Sequence, residues 1–182
     1  MMFAVGALIA AAVILRILIG SSSQKGKVKR KSRSSSERKQ PARTSLKRRS
    51  DAIILKSNTS QLSAGEFERI LALYFLNQGY KVEETGKFGN DGGVDLVITD
   101  RRGERTAVQA KCYFNKRVEP RFVRELVGAK RNHNCVLSLL ITTSDLSDKA
   151  KAEAQQHHVD YWNGLILQSK FKSWKVWQGQ MK

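Results

Sequence analysis

The sequence predicts an α/β protein in which helices cover both faces of a mixed sheet. Apolar residues recur at helical spacing after Ser63, and short strand-like runs then alternate with two further helical stretches. The predicted order from about Ser60 is helix, strand, β-hairpin, helix, strand, helix and strand. The chain has 182 residues, of which 41% are hydrophobic, and this suffices for one domain with a core.

The predicted domain begins with an amphipathic helix. Ser63 is a suitable N-cap, and Gly79 is a suitable stop after the last turn. Between them, one helical face carries the apolar residues Phe67, Ile70, Leu71, Tyr74 and Phe75. We expect this face to pack on the sheet.

Five strands and two further helices are predicted after it. Strands are expected at residues 80–83, 94–99 and 105–113, and the hairpin turn "DRRGE" joins the last two. The stretch "EPRFVRELVGAKRNH" begins with a proline suited to a first helical turn. After it, "CVLSLLITTS" is a buried strand, "SDLSDKAKAEAQQHH" is a polar helix, and "VDYWNGLILQ" starts as the final strand.

Residues 1–20, "MMFAVGALIAAAVILRILIG", form an almost unbroken apolar run with Arg16 near its end. At a rise of about 1.5 Å per residue, the run can cross a hydrocarbon core of about 30 Å, with Arg16 at the interface. We therefore predict a single transmembrane anchor. A cleaved signal peptide is the alternative, but no basic residue precedes the apolar part.

Most of the formal charge of +17 lies in one segment. Residues 24–50 contain twelve Lys and Arg against one Glu. Residues 21–59 are therefore predicted to be a basic, disordered linker with too little apolar surface to fold. A basic stretch directly after a membrane span stays in the cytoplasm, which places the next domain on the cytoplasmic face of the inner membrane. The same cations could bind lipid headgroups or nucleic acid phosphates.

Polar side chains interrupt the predicted strand "TAVQAKCYF". Gln109 and Lys111 are two residues apart and therefore point to one face, and the hairpin brings Asp95 beside them. A carboxylate and an amide oxygen suit a hard cation such as Mg²⁺. A lysine can position water or stabilise charge on a phosphate. The set predicts a reaction centre on this strand.

These residues belong to a longer pattern, whose parts are "FE" at Phe67-Glu68, "DGGVD" from Asp91 to Asp95, "QAK" from Gln109 to Lys111, "ITTS" from Ile141 to Ser144 and "NG" at Asn163-Gly164. With them, the sequence between residues 65 and 164 resembles the Mrr-like restriction endonuclease family of the PD-(D/E)xK nuclease superfamily. The resemblance implies a restriction-endonuclease-like α/β/α sandwich around a mixed sheet.

The resemblance also implies metal-dependent hydrolysis of DNA phosphodiester bonds by water. It makes Asp95 the principal metal-binding carboxylate, lets Gln109 replace the more common acid of the motif, and makes Lys111 the catalytic lysine. Glu68, on the first helix, would hold the metal or its water. Mg²⁺ is the expected ion, with Mn²⁺ as a substitute. Val94 stands in the place of the superfamily's nominal proline, and the anchor and linker stand where a DNA-recognition domain is usual.

Each residue of this set also has an ordinary structural interpretation. Asp95 could start a strand after a turn, Lys111 could be a solvated lysine that discourages aggregation, and Glu68 could lie on the polar side of an amphipathic helix. The surrounding motif favours the functional interpretation of all three. Asp91 is expected to shape the glycine turn rather than bind metal.

Basic residues after the "QAK" strand are predicted to contact DNA phosphates: Lys116, Arg117, Arg121 and Arg124. A solvated face is the structural alternative. In the tail, residues 171–182, aromatic side chains are interleaved with lysines, a composition compatible with nucleic acid or a membrane surface. We expect these aromatics to pack on the domain instead.

The sequence therefore predicts a membrane-anchored, Mg²⁺-dependent endodeoxyribonuclease of restriction or repair type. The predicted order is a transmembrane anchor (1–20), a basic linker (21–59), a nuclease domain (60–170) and a basic aromatic tail (171–182). The alternative function is a non-catalytic protein that tethers DNA at the membrane. RNA is a further candidate substrate, because no residue is seen to read the 2′-hydroxyl. A double-strand cut would be simplest for a homodimer.

Overall fold

A five-stranded mixed sheet lies at the centre of the fold. The computed structural model describes residues 49–85 and 92–181. In chain order, and in the same order across the sheet, the strands are β1 (Lys81–Glu84), β2 (Leu96–Thr99), β3 (Arg105–Lys111), β4 (Leu137–Thr142) and β5 (Asp160–Trp162). β1, β2 and β3 are antiparallel neighbours, whereas β4 and β5 run parallel to β3. The predicted mixed sheet is confirmed.

The helices of the described residues are α1 (Asp51–Ile54), α2 (Ala64–Asn77), α3 (Pro120–Ala129), α4 (Asp148–Gln156) and α5 (Gly164–Ser173). Short 3₁₀ turns occur at Thr59–Gln61 and Lys130–His133. α3 connects β3 to β4 and α4 connects β4 to β5, because parallel strands need a crossover of this length. In the part of the chain that the structure describes, no helix is long and apolar enough to span a bilayer. The predicted anchor, residues 1–20, lies outside that part.

Two apolar cores form on the two faces of the sheet. On one face, α2 and α5 contribute to a core whose largest buried side chains include Phe67, Leu96, Ile141 and Phe171. On the other face, α3 and α4 pack against Val97, Ala107 and Leu140. Successive side chains of a strand alternate between these cores. On β3, odd-numbered residues therefore face α3 and α4.

The start of α2 is fixed by the predicted N-cap and by an arginine that precedes α1. The Ser63 hydroxyl accepts a hydrogen bond from the Glu66 backbone N–H, and the Glu66 carboxylate accepts one from the Ser63 N–H at 2.9 Å. Arg49 donates two hydrogen bonds to the same carboxylate, at 2.7 and 2.8 Å. These bonds lower the pKa of Glu66 to about 2, and the hydrogen bond from Arg49 has the largest effect.

The described ends of the chain pack together on the domain. Ile54 of α1 and Trp174 after α5 are both buried in the first core. The Gln178 N–H donates to the Leu55 carbonyl at 2.9 Å, and the Thr59 N–H donates to the Gln180 carbonyl at 2.9 Å. Residues 49–59, assigned by composition to the linker, are thus part of the folded unit. The expectation that the tail aromatics pack on the domain is confirmed.

The stretch "VDYWNGLILQ" starts as the final strand, as predicted, and it continues as a helix that the sequence analysis does not assign. β5 ends at Trp162, and the Asn163 side chain accepts a hydrogen bond from the Ile166 N–H at 3.1 Å as the N-cap of α5. A glycine is required at residue 164, because a Cβ there would lie 2.6 Å from the Thr143 carbonyl oxygen. The "NG" motif therefore joins the last strand to the last helix.

The ion pair between Arg49 and Glu66 makes stability depend on pH. The pKa of Glu66 falls from 4.5 to about 2 on folding, so the unfolded chain takes up the proton first as pH falls. We expect the pair to make its full contribution to the free energy of unfolding above about pH 5. This contribution should be lost as the pH falls from 4.5 to 2. Urea unfolding measured across this range checks this.

Arg49→Gln should flatten that dependence, because it removes the main cause of the lowered pKa. Arg102→Gln is the matched control, since Arg102 is exposed in the β2–β3 turn. An Arg49→Gln profile as steep as that of Arg102→Gln would contradict the assignment.

Candidate active site

The pairing of β2 with β3 ends in a bulge at Asp95. Leu96 is the partner of Val108 in the ladder, and the Asp95 N–H also donates to the Val108 carbonyl, at 2.8 Å. Two successive residues thus lie opposite one, which is the arrangement of a β-bulge. The Asp95 Oδ2 accepts a hydrogen bond from the Ala110 N–H at 2.7 Å. The backbone of β3 therefore fixes the carboxylate beside Gln109.

Gln109 is fully buried, and its amide is unusual. Neither Oε1 nor Nε2 has a hydrogen-bond partner within the described residues. Nε2 lies 2.8 Å from the place that a Cβ would take at Gly93, which has a φ of +98°. Burying an unpaired polar group costs about 1–3 kcal/mol. Such a group is therefore a candidate to bind a ligand.

Lys111 ends β3 on the same face as Gln109 and is held at both ends. Its Nζ lies 4.9 Å from the centroid of the Phe122 ring on α3, a cation–π contact. Its carbonyl accepts hydrogen bonds from the Thr142 hydroxyl at 2.8 Å and from the Thr143 N–H at 3.3 Å. The "ITTS" strand thus fixes the backbone that carries the lysine.

The structure brings three of the four predicted catalytic residues to one end of the β2–β3 hairpin: Asp95, Gln109 and Lys111. Glu68 is half-buried on α2, which packs on the opposite face of the sheet from Gln109. The role of Glu68 at the metal stays a prediction. Asp91 lies outside the described residues.

The four basic residues predicted to contact DNA lie between β3 and the middle of α3, and all are exposed. Lys116 and Arg121 both pair with Glu119, at 3.6 and 3.1 Å. Arg124 pairs with Glu153 of α4. Arg117 lies in the loop before α3. The region is thus solvent-accessible, although carboxylates neutralise part of its charge.

The donor set at the end of the hairpin suits a hard divalent cation. Asp95 provides a carboxylate, and Gln109 provides a buried amide that lacks a partner in the described ranges. Mg²⁺ keeps several waters and needs few protein ligands. Among the described residues there is no group of three or more His, Cys, Asp and Glu side chains placed to hold a metal. An ion bound by Asp95 and Gln109 would have a carboxylate oxygen and an amide oxygen among its ligands.

Two residues near this set were not singled out from the sequence, and both belong to α3. Phe122 contacts Lys111, and the Cβ of Glu125 lies 3.2 Å from the place that a Cβ would take at Gly93. The signal was their spacing of three residues, which puts them on one side of the helix. Which way that side faces depends on how the helix packs, and the helical pattern alone did not show it.

The fold and these residues define a class: a nuclease-type α/β domain with a PD-(D/E)xK-like set at the end of a hairpin. Residues 59–170 match the family Mrr_cat, described as restriction endonuclease. This match covers more than half of the chain, and the chain belongs to that family.

Solved structures of nucleases are similar at low identity. A repair endonuclease from Pyrococcus abyssi is 15% identical, with 56% of this chain and 47% of that chain covered and a TM-score of 0.43. MspJI restriction endonuclease in complex with a 27-mer oligonucleotide is 22% identical (60% and 27% covered, TM-score 0.43). EndoMS in a complex with double-stranded DNA is 21% identical (56% and 45% covered, TM-score 0.42).

This chain spans less than half the length of each of these three proteins. Because every score is below 0.5, the assignment rests on the family match and not on these structures. No curated protein matches the sequence.

Gly93→Ala should disrupt the site beyond its effect on the backbone. Its φ of +98° strains any other residue by about 1–2 kcal/mol, and the new Cβ would collide with the Gln109 amide. Gly103→Ala is the matched control, because Gly103 has a φ of +86° with nothing within 4 Å. We expect similar backbone strain in both variants by urea unfolding, but a loss of DNA cleavage of more than about tenfold only in Gly93→Ala. Equal cleavage by the two would contradict the close approach.

Phe122→Leu should weaken the placement of Lys111 without unfolding the protein. A cation–π contact contributes about 0.5–2 kcal/mol, which corresponds to about a two- to thirtyfold fall in cleavage rate. We expect the fall in kcat with little change in KM, and Phe122→Tyr, which keeps the ring, should retain the rate. If Phe122→Leu and Phe122→Tyr are equally active, the ring has no positioning role.

Proposed function

We propose that this protein is an Mg²⁺-dependent endonuclease of restriction or repair type that hydrolyses phosphodiester bonds of DNA. The observation that carries the proposal is the buried amide of Gln109, which has no partner in the described chain. It shares a face of β3 with Lys111, and the next residue, Ala110, donates its N–H to Asp95. An unpaired amide inside a packed core has a cost without a structural benefit. A reaction centre that binds a cation and a phosphate accounts for it.

Asp95 and Gln109 would hold the ion, with Mn²⁺ as a substitute for Mg²⁺. Such an ion polarises the scissile phosphate and lowers the pKa of a bound water. The hydrogen bond from Ala110 keeps the Asp95 carboxylate in place. A group fixed before the substrate arrives needs no reorganisation during the reaction.

Lys111 would stabilise the negative charge that develops on the phosphate. Its ammonium rests against the Phe122 ring, and its backbone is bonded to β4 through Thr142 and Thr143. The side chain is therefore restrained along its length. Restraint of this kind contributes because a misplaced catalytic group loses much of its effect.

The exposed cations after β3 would position the DNA backbone. Lys116 and Arg121 share Glu119 as a partner, and surface ion pairs of this kind contribute about 0–1 kcal/mol. A phosphate can therefore displace the carboxylate at small cost. These contacts would set the register of the duplex and would not read its sequence.

We also propose that residues 1–20 anchor the protein in the inner membrane and that the domain faces the cytoplasm. The apolar run and the basic residues after it support this. A homodimer would bring two sites to the two strands of a duplex. Extraction of cell membranes with alkaline carbonate tests the anchor: the full chain should stay in the pellet, whereas release into the supernatant would exclude a spanning helix.

The decisive test is cleavage of plasmid and linear DNA by the purified full chain. We expect cleavage with Mg²⁺ or Mn²⁺ and none with EDTA. Asp95→Asn keeps an acceptor for the Ala110 N–H but removes the charge, and Lys111→Met keeps the apolar stem but removes the ammonium. Both should lose at least about a hundredfold in rate. Glu104→Gln, at the exposed end of the hairpin, should not.

Retention of folding by Asp95→Asn would show that a lost rate comes from chemistry. DNA binding without cutting, unchanged in both site variants, would instead favour the non-catalytic tethering protein. Cleavage of RNA with the same dependence on metal and on both residues would change the proposed substrate from DNA to RNA and leave the site as proposed.

A further inference from the structure

One side of α3 lies over the site. Phe122, Glu125 and Ala129 are spaced three and seven residues apart, which aligns them on a helix. Phe122 contacts Lys111, and the Cβ of Ala129 lies 3.3 Å from the place of a Cβ on the first glycine of the turn at residues 92–93. Glu125 is between these two contacts. Of these three residues, only Glu125 has an ionisable side chain.

Glu125 and Gln109 are neighbours across Gly93. The Cβ of Glu125 lies 3.2 Å, and the Nε2 of Gln109 lies 2.8 Å, from the same point, the place of a Cβ on Gly93. Two carbon atoms separate the Cβ of a glutamate from its oxygens, so the carboxylate can extend over the glycine toward the amide. There Nε2 can donate to one carboxylate oxygen, and Oε1 is left for the cation. A side chain at residue 93 would occupy the space between Glu125 and Gln109.

The carboxylate of Glu125 has no ion-pair or hydrogen-bond partner in the described parts of the chain. Arg121 lies one turn before it, the usual spacing for a helical ion pair, but the guanidinium of Arg121 pairs with Glu119. Arg124, which directly precedes Glu125, pairs with Glu153. Glu125 is exposed, so it is free to bind a ligand from solvent.

The charge of the site favours a further carboxylate ligand. Gln109 brings no charge, which leaves the Asp95 carboxylate as the single negative group of the pair against a divalent cation. Divalent-cation affinity is tuned by the number of charged ligands. A second carboxylate, supplied by the helix above the hairpin, would restore the charge that an acid at position 109 would provide.

We propose that Glu125 is a further residue of the metal site and that its carboxylate holds the cation, directly or through a water, together with Asp95 and Gln109. The inference rests on the proposed function, since it names an additional ligand for the same ion. It does not replace Glu68, whose helix lies on the opposite face of the sheet. It assigns Glu125, the neighbour of the unpaired Gln109 amide, as an additional metal ligand.

Isothermal titration of the purified full chain with Mn²⁺ and with Mg²⁺ tests this without relying on activity. We expect Glu125→Gln to weaken binding by about ten- to a hundredfold, and Glu125→Asp to recover part of the loss. Glu104→Gln is the matched control, because Glu104 is also exposed but lies at the other end of β3. It should bind as the unaltered chain does.

Cleavage then separates a metal ligand from a residue that only contacts DNA. Raising the Mg²⁺ concentration should restore most of the rate of Glu125→Gln but none of the rate of Lys111→Met. If the unaltered chain binds metal and Glu125→Gln binds it equally well, the inference is wrong and the proposed function stands. If the unaltered chain binds no metal, both are wrong.

Discussion

The site depends on one constraint, the end of antiparallel pairing at Asp95. There the side-chain carboxylate accepts the Ala110 N–H, a group that lies next to Gln109 on β3. The chain before Asp95 then passes over Gln109 through Gly93, whose positive φ and missing Cβ allow the close approach. A bulge of this kind turns a strand residue toward a site. One hydrogen bond and one glycine thus place the carboxylate and the amide side by side at the end of the hairpin.

Local rules were enough to predict this set from the sequence, and tertiary packing decided the rest. The period of two along β3 put Gln109 and Lys111 on one face, and the hairpin turn brought Asp95 beside them. The contribution of α3 depends on how a crossover helix lies on the sheet, which no periodicity states. Phe122 and Glu125 therefore looked like ordinary helical residues until their neighbours were known.

The difference between local pattern and tertiary packing also explains why the start of the domain and the last helix were not predicted. Arg49 belongs to a run of basic residues, and composition assigns it to a linker. Its partner, Glu66, is 17 positions further along the chain, and a pairing at that distance leaves no trace in a local pattern. The last helix was missed for a related reason. A short apolar run such as "LILQ" fits a strand or a helix, and the choice was made by the Asn163 cap and by the contact of Gly164 with the Thr143 carbonyl.

Under the proposed function, the distribution of charge divides attraction to DNA from its placement at the site. In the folded part, many exposed cations already have carboxylate partners: Lys116 and Arg121 share Glu119, and Arg124 pairs with Glu153. Paired charges contribute little beyond the screening length of about 8 Å at physiological salt. Residues 24–50, with twelve cations and one acid, carry most of the excess. Long-range attraction would therefore come from that segment, and the paired cations beside the hairpin would act only on contact, when a phosphate displaces a carboxylate close to Lys111.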